Sequence, residues 1–220
     1  MTAHRSIIVA ARLLAVSFGA ACLLGACSIL PKNQPVQLWR PVEDNAGIAA
    51  ASAGFSLRVD TPNTTGMLDQ NGILVMPEPG QVSVYKGARW SESPALLVRH
   101  RLVDAFMAAK LPAVTTDDDH FASDYALSGD LRAFQSEYRD GSPVVVVRFD
   151  AQLRRGGARN LLATHSFVVT RNPSGVEVPQ IVVAFGAADD QLAQQVVAWT
   201  LAAVHRDEQK SPANDDAQSR

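Results

Sequence analysis

The stretch from Val144 to Val169 constrains the fold most. Val145, Val147, Phe149, Ala151 and Leu153 alternate with Arg148, Asp150, Gln152 and Arg154, and Leu161, Ala163, His165, Phe167 and Val169 resume the pattern. A period of two places successive side chains on opposite faces, which is the signature of a strand. Gly156-Gly157 between the two runs supplies a turn, so the stretch reads as an antiparallel hairpin. The basic cluster Arg154 to Arg159 then belongs to the turn and reads as a solvated loop. One polar face along such long strands implies a sheet covered on one side only.

Other elements can be fitted around this hairpin. Tyr125, Leu127, Gly129 and Leu131 alternate with polar residues, predicting a strand that runs to about Phe134, with Gly141-Ser142-Pro143 as the turn into the hairpin. Upstream, Phe55 to Asp60 is a strand by the same test. Ile73 to Met76 and Val82 to Tyr85 form a second hairpin around Pro77-Glu78-Pro79-Gly80. Ser93-Pro94 opens a helix, with Ser93 as cap and Pro94 at a position where a missing N–H is harmless. That helix presents Leu96, His100, Val103 and Met107 on one face, with Leu97 and Phe106 beside them, and stops before Leu111-Pro112. A second helix, Ala187 to Val204, repeats Leu192, Val196, Trp199 and Ala203 at helical spacing, and Asp189 and Asp190 suit its N-terminus through the dipole. Trp199 is assigned to the core, and His205 closes the helix. The expected architecture is a single α+β domain: a mainly antiparallel or mixed sheet of about six strands with two main helices packed on it, in the order βββα-βββα.

Both cysteines of the chain, Cys22 and Cys27, precede this body. Arg5 and Arg12 are followed by an uncharged segment, Leu13 to Ala26, that ends in small residues, the layout of a cleavable export signal. A membrane-spanning helix would need about 20 uninterrupted apolar residues, and Arg12 breaks the run. Leu24-Gly25-Ala26-Cys27 resembles the lipobox of bacterial lipoproteins, in which the cysteine thiolate takes a diacylglycerol and becomes the first mature residue. Cys22 lacks the leading Leu. The implied organisation is a signal at 1–26, a lipidated Cys27 with a flexible tether over 27–54, a domain at 55–205 and a disordered polar tail at 206–220. Ser28 in place of Asp points to the outer membrane. A flexible tether of this length would span roughly 26–31 Å. A cysteine-free body of about 190 residues has a core large enough to stand without disulfides.

Composition sets further limits. Hydrophobic residues make up 47% of the chain and charged ones 19%, so a packed domain is expected. Removal of the first 26 residues leaves 18 cationic and 22 acidic side chains, a net charge of −4 without a clustered basic patch. That argues against a nucleic-acid partner. No phosphate loop, dinucleotide fingerprint, zinc-protease helix or nucleophile elbow occurs. Asp117-Asp118-Asp119-His120 has metal-ligating side chains, but consecutive residues diverge and the run reads as a solvated loop. Ser, His and Asp are available with nothing in the sequence to unite them as a triad, so no enzymatic activity, cofactor or metal is expected.

Three blocks carry a family resemblance. Ile73-Leu74-Val75 to Tyr85, then Gly87-Ala88-Arg89-Trp90 leading into Ser93-Pro94-Ala95-Leu96-Leu97, and the closing Ala184-Phe185, Gln191-Leu192 and Val197-Ala198-Trp199, resemble the ABC-type transport auxiliary lipoproteins, the family of paraquat-inducible protein C. Cys27 matches that family's lipid anchor. Gly186 after Phe185 departs from the pattern, where a helix former is more usual. The resemblance implies a non-catalytic lipoprotein on the periplasmic face of the outer membrane, working with an MCE-domain protein and ABC transporter subunits that move phospholipids or other hydrophobic molecules. A lipid- or small-molecule-binding lipoprotein unconnected with a transporter is the alternative.

Overall fold

The computed structural model describes residues 35–218 except 43, 45, 46, 51, 52, 120 and 158–160, with side chains described as far as Lys210. Cys27, the signal at 1–26 and the first part of the tether lie outside the described residues.

Strands β1 (Gln37–Trp39), β2 (Ser56–Val59), β3 (Gly72–Met76), β4 (Ser83–Trp90), β5 (Ala113–Thr116), β6 (Tyr125–Arg139), β7 (Ser142–Arg155) and β8 (Leu161–Arg171) form one mixed sheet. Its spine is the meander β6-β7-β8, built from the alternating runs. Arg139 pairs with Ser142, leaving Asp140-Gly141 as a two-residue turn with φ of 51° and 77°. Two left-handed residues match the twist of paired strands, which is why an Asp-Gly pair serves here.

β7 occupies one edge of β6 along its whole length, so the other edge is shared. β2 runs parallel to its start (Leu57 opposite Tyr125) and β3 parallel to its end (Leu74 opposite Gln135). The sheet therefore forks. One arm continues from β2 to β5, the other from β3 to β4 to β1, and a single bridge, Asn63 to Asp130, lies in the crotch. The register of β6 against β7 shifts between Leu131 and Ala133, where one extra residue bends the spine at the fork.

Six strands become eight because β1 and β5 are three and four residues long, too short to show a period. Within the segment read as a tether, Leu38 and Trp39 are docked as part of β1, in register with Arg89 and Trp90. β4 extends past Tyr85 to Trp90, with Gly87 at φ 72° in an irregular stretch that a strict alternation test rejects.

Helices α1 (Pro94–Ala108) and α2 (Val178–Gln218) cover one face of the sheet. Pro94 stands at the first turn as expected, although the Ser93 side chain makes no capping bond. The buried face of α1 is Leu97, Val98, Arg101, Leu102, Ala105 and Phe106, while Met107 is exposed. It is rotated from the face of Leu96, His100, Val103 and Met107, and it brings a charged residue, Arg101, inward. α2 starts nine residues earlier than Ala187 and runs through the region assigned to a frayed tail. Ile181, Val182 and Phe185 are buried in its first turns, and Asp207 is held near its far end. His205 thus lies within the helix. Trp199 is half-buried against Phe167 rather than central to the core.

Candidate functional site

Arg101 is fully buried, and its surroundings explain three features that the sequence left open. Its Nε donates to Asp190 Oδ1 at 2.6 Å and its Nη2 to the Asp44 carbonyl at 2.8 Å. The Asp44 amide donates in turn to both carboxylate oxygens of Asp190, at 3.1 Å each. Guanidinium and carboxylate thus hold the main chain at residue 44 by its N–H and its C=O together. Charge-assisted bonds of this kind are about twice as strong as neutral ones. Burial makes each member depend on the others.

Asp190 belongs to a stripe one turn apart along α2. At Gly186 a Cβ would lie 2.4 Å from the Val42 carbonyl oxygen, so only glycine lets the strap pass. Gly47, at φ 87°, packs against the Gln194 side chain. Residues 42, 44 and 47 therefore follow 186, 190 and 194 up the helix. The departure at Gly186 is thus a backbone crossing. Asp189 and Asp190 are not dipole partners, since α2 begins eleven residues before Asp189; Asp190 is the acceptor of the strap. The segment that leads from Cys27 is in this way fastened to the core before it reaches β2.

A second cluster ties the far part of α2 to the sheet. Tyr125 Oη donates to Asp207 Oδ2 at 3.0 Å, and Arg155 Nε donates to the same oxygen at 2.6 Å. Burial, then the hydrogen bond to Asp207, push the Tyr125 phenol up to about 12, while the Arg155 bond holds the Asp207 carboxyl below its usual range. A raised folded-state pKa gives a contribution that is complete below the unfolded value near 10 and is lost as pH rises towards 12. Between those limits the wild type is expected to lose stability to urea more steeply than Tyr125→Phe, as measured by unfolding midpoints at stepped pH. Asp207 acts in the opposite window: its depressed pKa contributes above about pH 4 and is lost on further acidification.

The acidic run 117–119 also finds its partners. Asp117 accepts from the Thr61 amide and hydroxyl and from Arg99, Asp118 accepts from Arg99, and Asp119 turns back to the Thr116 amide. Burial alone would raise the Asp117 carboxyl, but the Thr61 and Arg99 bonds outweigh it and the pKa is lowered. Asp117 and Asp118 thus share Arg99 while Asp119 turns away to Thr116, and among the described residues no group of three or more potential ligands faces one point. The histidines are dispersed. His100 Nδ1 lies 3.1 Å from Glu92, the exposed His165 ring packs on Phe167 and Trp199, and His205 meets Gln209.

Trp90, Phe134 and Phe185 pack at the centre of the space between sheet and helices. Clefts lie around this centre, one of about 240 Å³ between Phe55 and the α2 residues Leu201 and Val204. Two of about 460 and 510 Å³ adjoin on the open sheet face, sharing Arg58, Asp60, Ser128 and Arg154. Arg58 is paired there with Asp60 at 2.6 Å.

The model of the ABC-type transport auxiliary lipoprotein component family matches residues 38–197, from the short strand β1 through the strap and the sheet to the middle of α2. A protein of Bradyrhizobium diazoefficiens is 29% identical over 163 residues, which are 73% of this chain and 43% of that protein, so the chain spans less than half of that relative's length. A crystal structure of a Xanthomonas campestris protein superposes with a TM-score of 0.72 at 27% identity, covering 79% of this chain and 99% of the other. A further solved structure has a TM-score of 0.60 at 17% identity, covering 76% and 99%, and shares the fold. The family match takes in every strand of the forked sheet and both ends of the strap's attachment: the chain belongs to the ABC-type transport auxiliary lipoprotein family.

Proposed function

We propose that the chain is the non-catalytic lipoprotein of an MCE-type ABC transport system, anchored through Cys27 on the periplasmic face of the outer membrane, where it serves the passage of phospholipids or other hydrophobic molecules between the two membranes. The family match over 38–197 carries this reading. Two features of the molecule support it. The chain downstream of Cys27 is locked to the core at Asp44, so a lipid anchor there would hold the whole domain rather than a loose end. A core centred on the packed rings of Trp90, Phe134 and Phe185 suits a component that docks to partners better than one that encloses cargo there.

Affinity purification from detergent-solubilised envelopes is expected to bring down an ATPase, a permease and an MCE-domain protein. Recovery of the chain without any transporter subunit would overturn the transport role, and a stoichiometric lipid retained by the purified protein would favour the lipid-binding alternative. The anchor has its own test. Cys27→Ser is expected to abolish incorporation of labelled palmitate and leave the signal uncleaved by the lipoprotein peptidase. Palmitate labelling equal to wild type in that variant would refute acylation at Cys27.

A further inference from the structure

The arm of the sheet that carries the strap's entry has an unusual outer face. Leu38, on the outermost strand, is 70% exposed, and Val36, just ahead of that strand, is 50% exposed. Leu38 is in register with Arg89 of β4, and Arg89 with Gly72 of β3. Gly72 lacks a side chain, and the space above it is taken by Val84, whose Cγ1 lies 2.7 Å from where a Cβ would stand; Val84 is itself 43% exposed. Gln37 and Trp39 alternate to the other side, in register with buried Ala88 and Trp90, so Leu38, Arg89 and Val84 share the face turned away from the helices. Lys86, in the irregular part of β4, is exposed beside them.

The charge on this face is positive. Arg89 and Lys86 pair with no carboxylate among the described residues. Glu137 is already paired with Arg139, and Asp69, which keeps its charge, accepts from the Thr64 hydroxyl and not from Arg89 or Lys86. Exposed branched aliphatic residues flanked by cations match an anionic lipid surface, where the apolar groups enter the headgroup boundary and the cations meet phosphates.

The covalent chain says which surface is within reach. Nine peptide steps separate Cys27 from Val36, and even fully extended they span no more than roughly 30–32 Å. A domain that can never be farther than this from its acyl chains, and whose strap is fixed immediately beyond, meets the membrane again and again with the face beside the point of entry. We infer that Val36, Leu38 and Val84, with Lys86 and Arg89, form a second membrane contact that lays the β1-β4 edge on anionic phospholipid. The inference rests on the anchored reading for its geometry. A diacylglycerol on Cys27 suffices for durable attachment, so what a basic-apolar patch adds is orientation of the domain on the surface.

The test uses the mature protein on vesicles of phosphatidylethanolamine with phosphatidylglycerol, against vesicles of phosphatidylcholine alone, read by amide hydrogen exchange. Amides of 36–40 and 82–89 are expected to exchange several-fold more slowly on the anionic vesicles, while those of 178–186 on the helical side do not change. Each cation near an anionic surface is worth about a fivefold change in partition. The double variant Lys86→Glu/Arg89→Glu is therefore expected to lose the slowing while staying on the vesicles through its anchor. Equal exchange of 36–40 on both vesicle types overturns the inference, as does slowing seen only in native membranes, which would give the face to a protein partner. Intact mass reports acylation separately. If Cys27 proves unmodified, the anchoring reading fails by itself, and anionic-lipid-dependent slowing in the unacylated chain still decides the patch.

Discussion

Arg101→Ala is expected to destabilise the domain by about 3–5 kcal/mol, the range for breaking a buried ion pair by removing one partner. The cost is not the loss of a favourable contact alone. Asp190 would keep a carboxylate in a site that is 15% exposed, facing only the Asp44 amide, and the Asp44 carbonyl would lose its donor. Urea unfolding of the variant should show the lowered midpoint. Limited proteolysis should cut within 36–47 well before global unfolding, because the strap loses its grip at Asp44, where both main-chain groups are held. The double variant Arg101→Met/Asp190→Leu separates charge from packing. Replacing a whole buried pair by apolar side chains is often neutral or stabilising, so this protein should recover most of the midpoint but not the protease resistance of 36–47. If Arg101→Ala unfolded like wild type and its strap resisted cleavage, the ion pair would not be what fastens it.

Trp90→Ala should be as damaging, by a different route. Trp90 is fully buried, edge-on to Phe134 at 5.6 Å and to Phe185 at 5.0 Å, and those two rings stack on each other at 4.8 Å. One residue thus joins β4, β6 and α2. Truncating a buried aromatic costs about 3–5 kcal/mol in transfer and cavity terms. Trp90→Phe is expected to cost far less. The indole Nε1 is buried with no hydrogen-bond partner among the described residues, and a smaller ring removes that unsatisfied donor as it opens a modest gap. Chemical denaturation of both variants checks the order. A Phe variant as unstable as the Ala variant would show that indole shape, and not aromatic burial in general, is what the site requires.

What could be read from the residues followed their physics. Long alternation in β6, β7 and β8 is a local signal, and the meander was legible with its turns. β1 and β5 were not, since three or four residues carry no period and their pairing is decided by partners some fifty residues away in the chain. The face of α1 was misassigned for a related reason: a helix with Arg101 inward looks amphipathic about the wrong axis until Asp190 is known to wait opposite it. Gly186 and Asp190 were visible as oddities, four residues apart, one breaking the family pattern and the other placed at a presumed helix start. Nothing in the sequence ties them to residues 42 and 44, because a strap crossing a helix leaves no periodic trace. Cys27 is the reverse case. Its signal is wholly local, written in the four residues that end with it, and it lies outside the described residues.

The fork has a consequence for how the chain acquires this shape. β2 and β3 do not pair with each other; each waits for β6, which begins at Tyr125, and β6 in turn is completed by β7. Before Tyr125 the chain can therefore build only two separate arms, β1-β4-β3 and β2-β5, which expose Leu57, Val59, Ile73 and Trp90 until the central hairpin arrives. Non-local pairing of this kind delays folding relative to local hairpins. A chain that emerges from its N-terminus would present the segment around Cys27 first and its scaffold last. The β6-β7 hairpin, closed by Asp140-Gly141, then acts as the single event that joins two separate arms into one sheet.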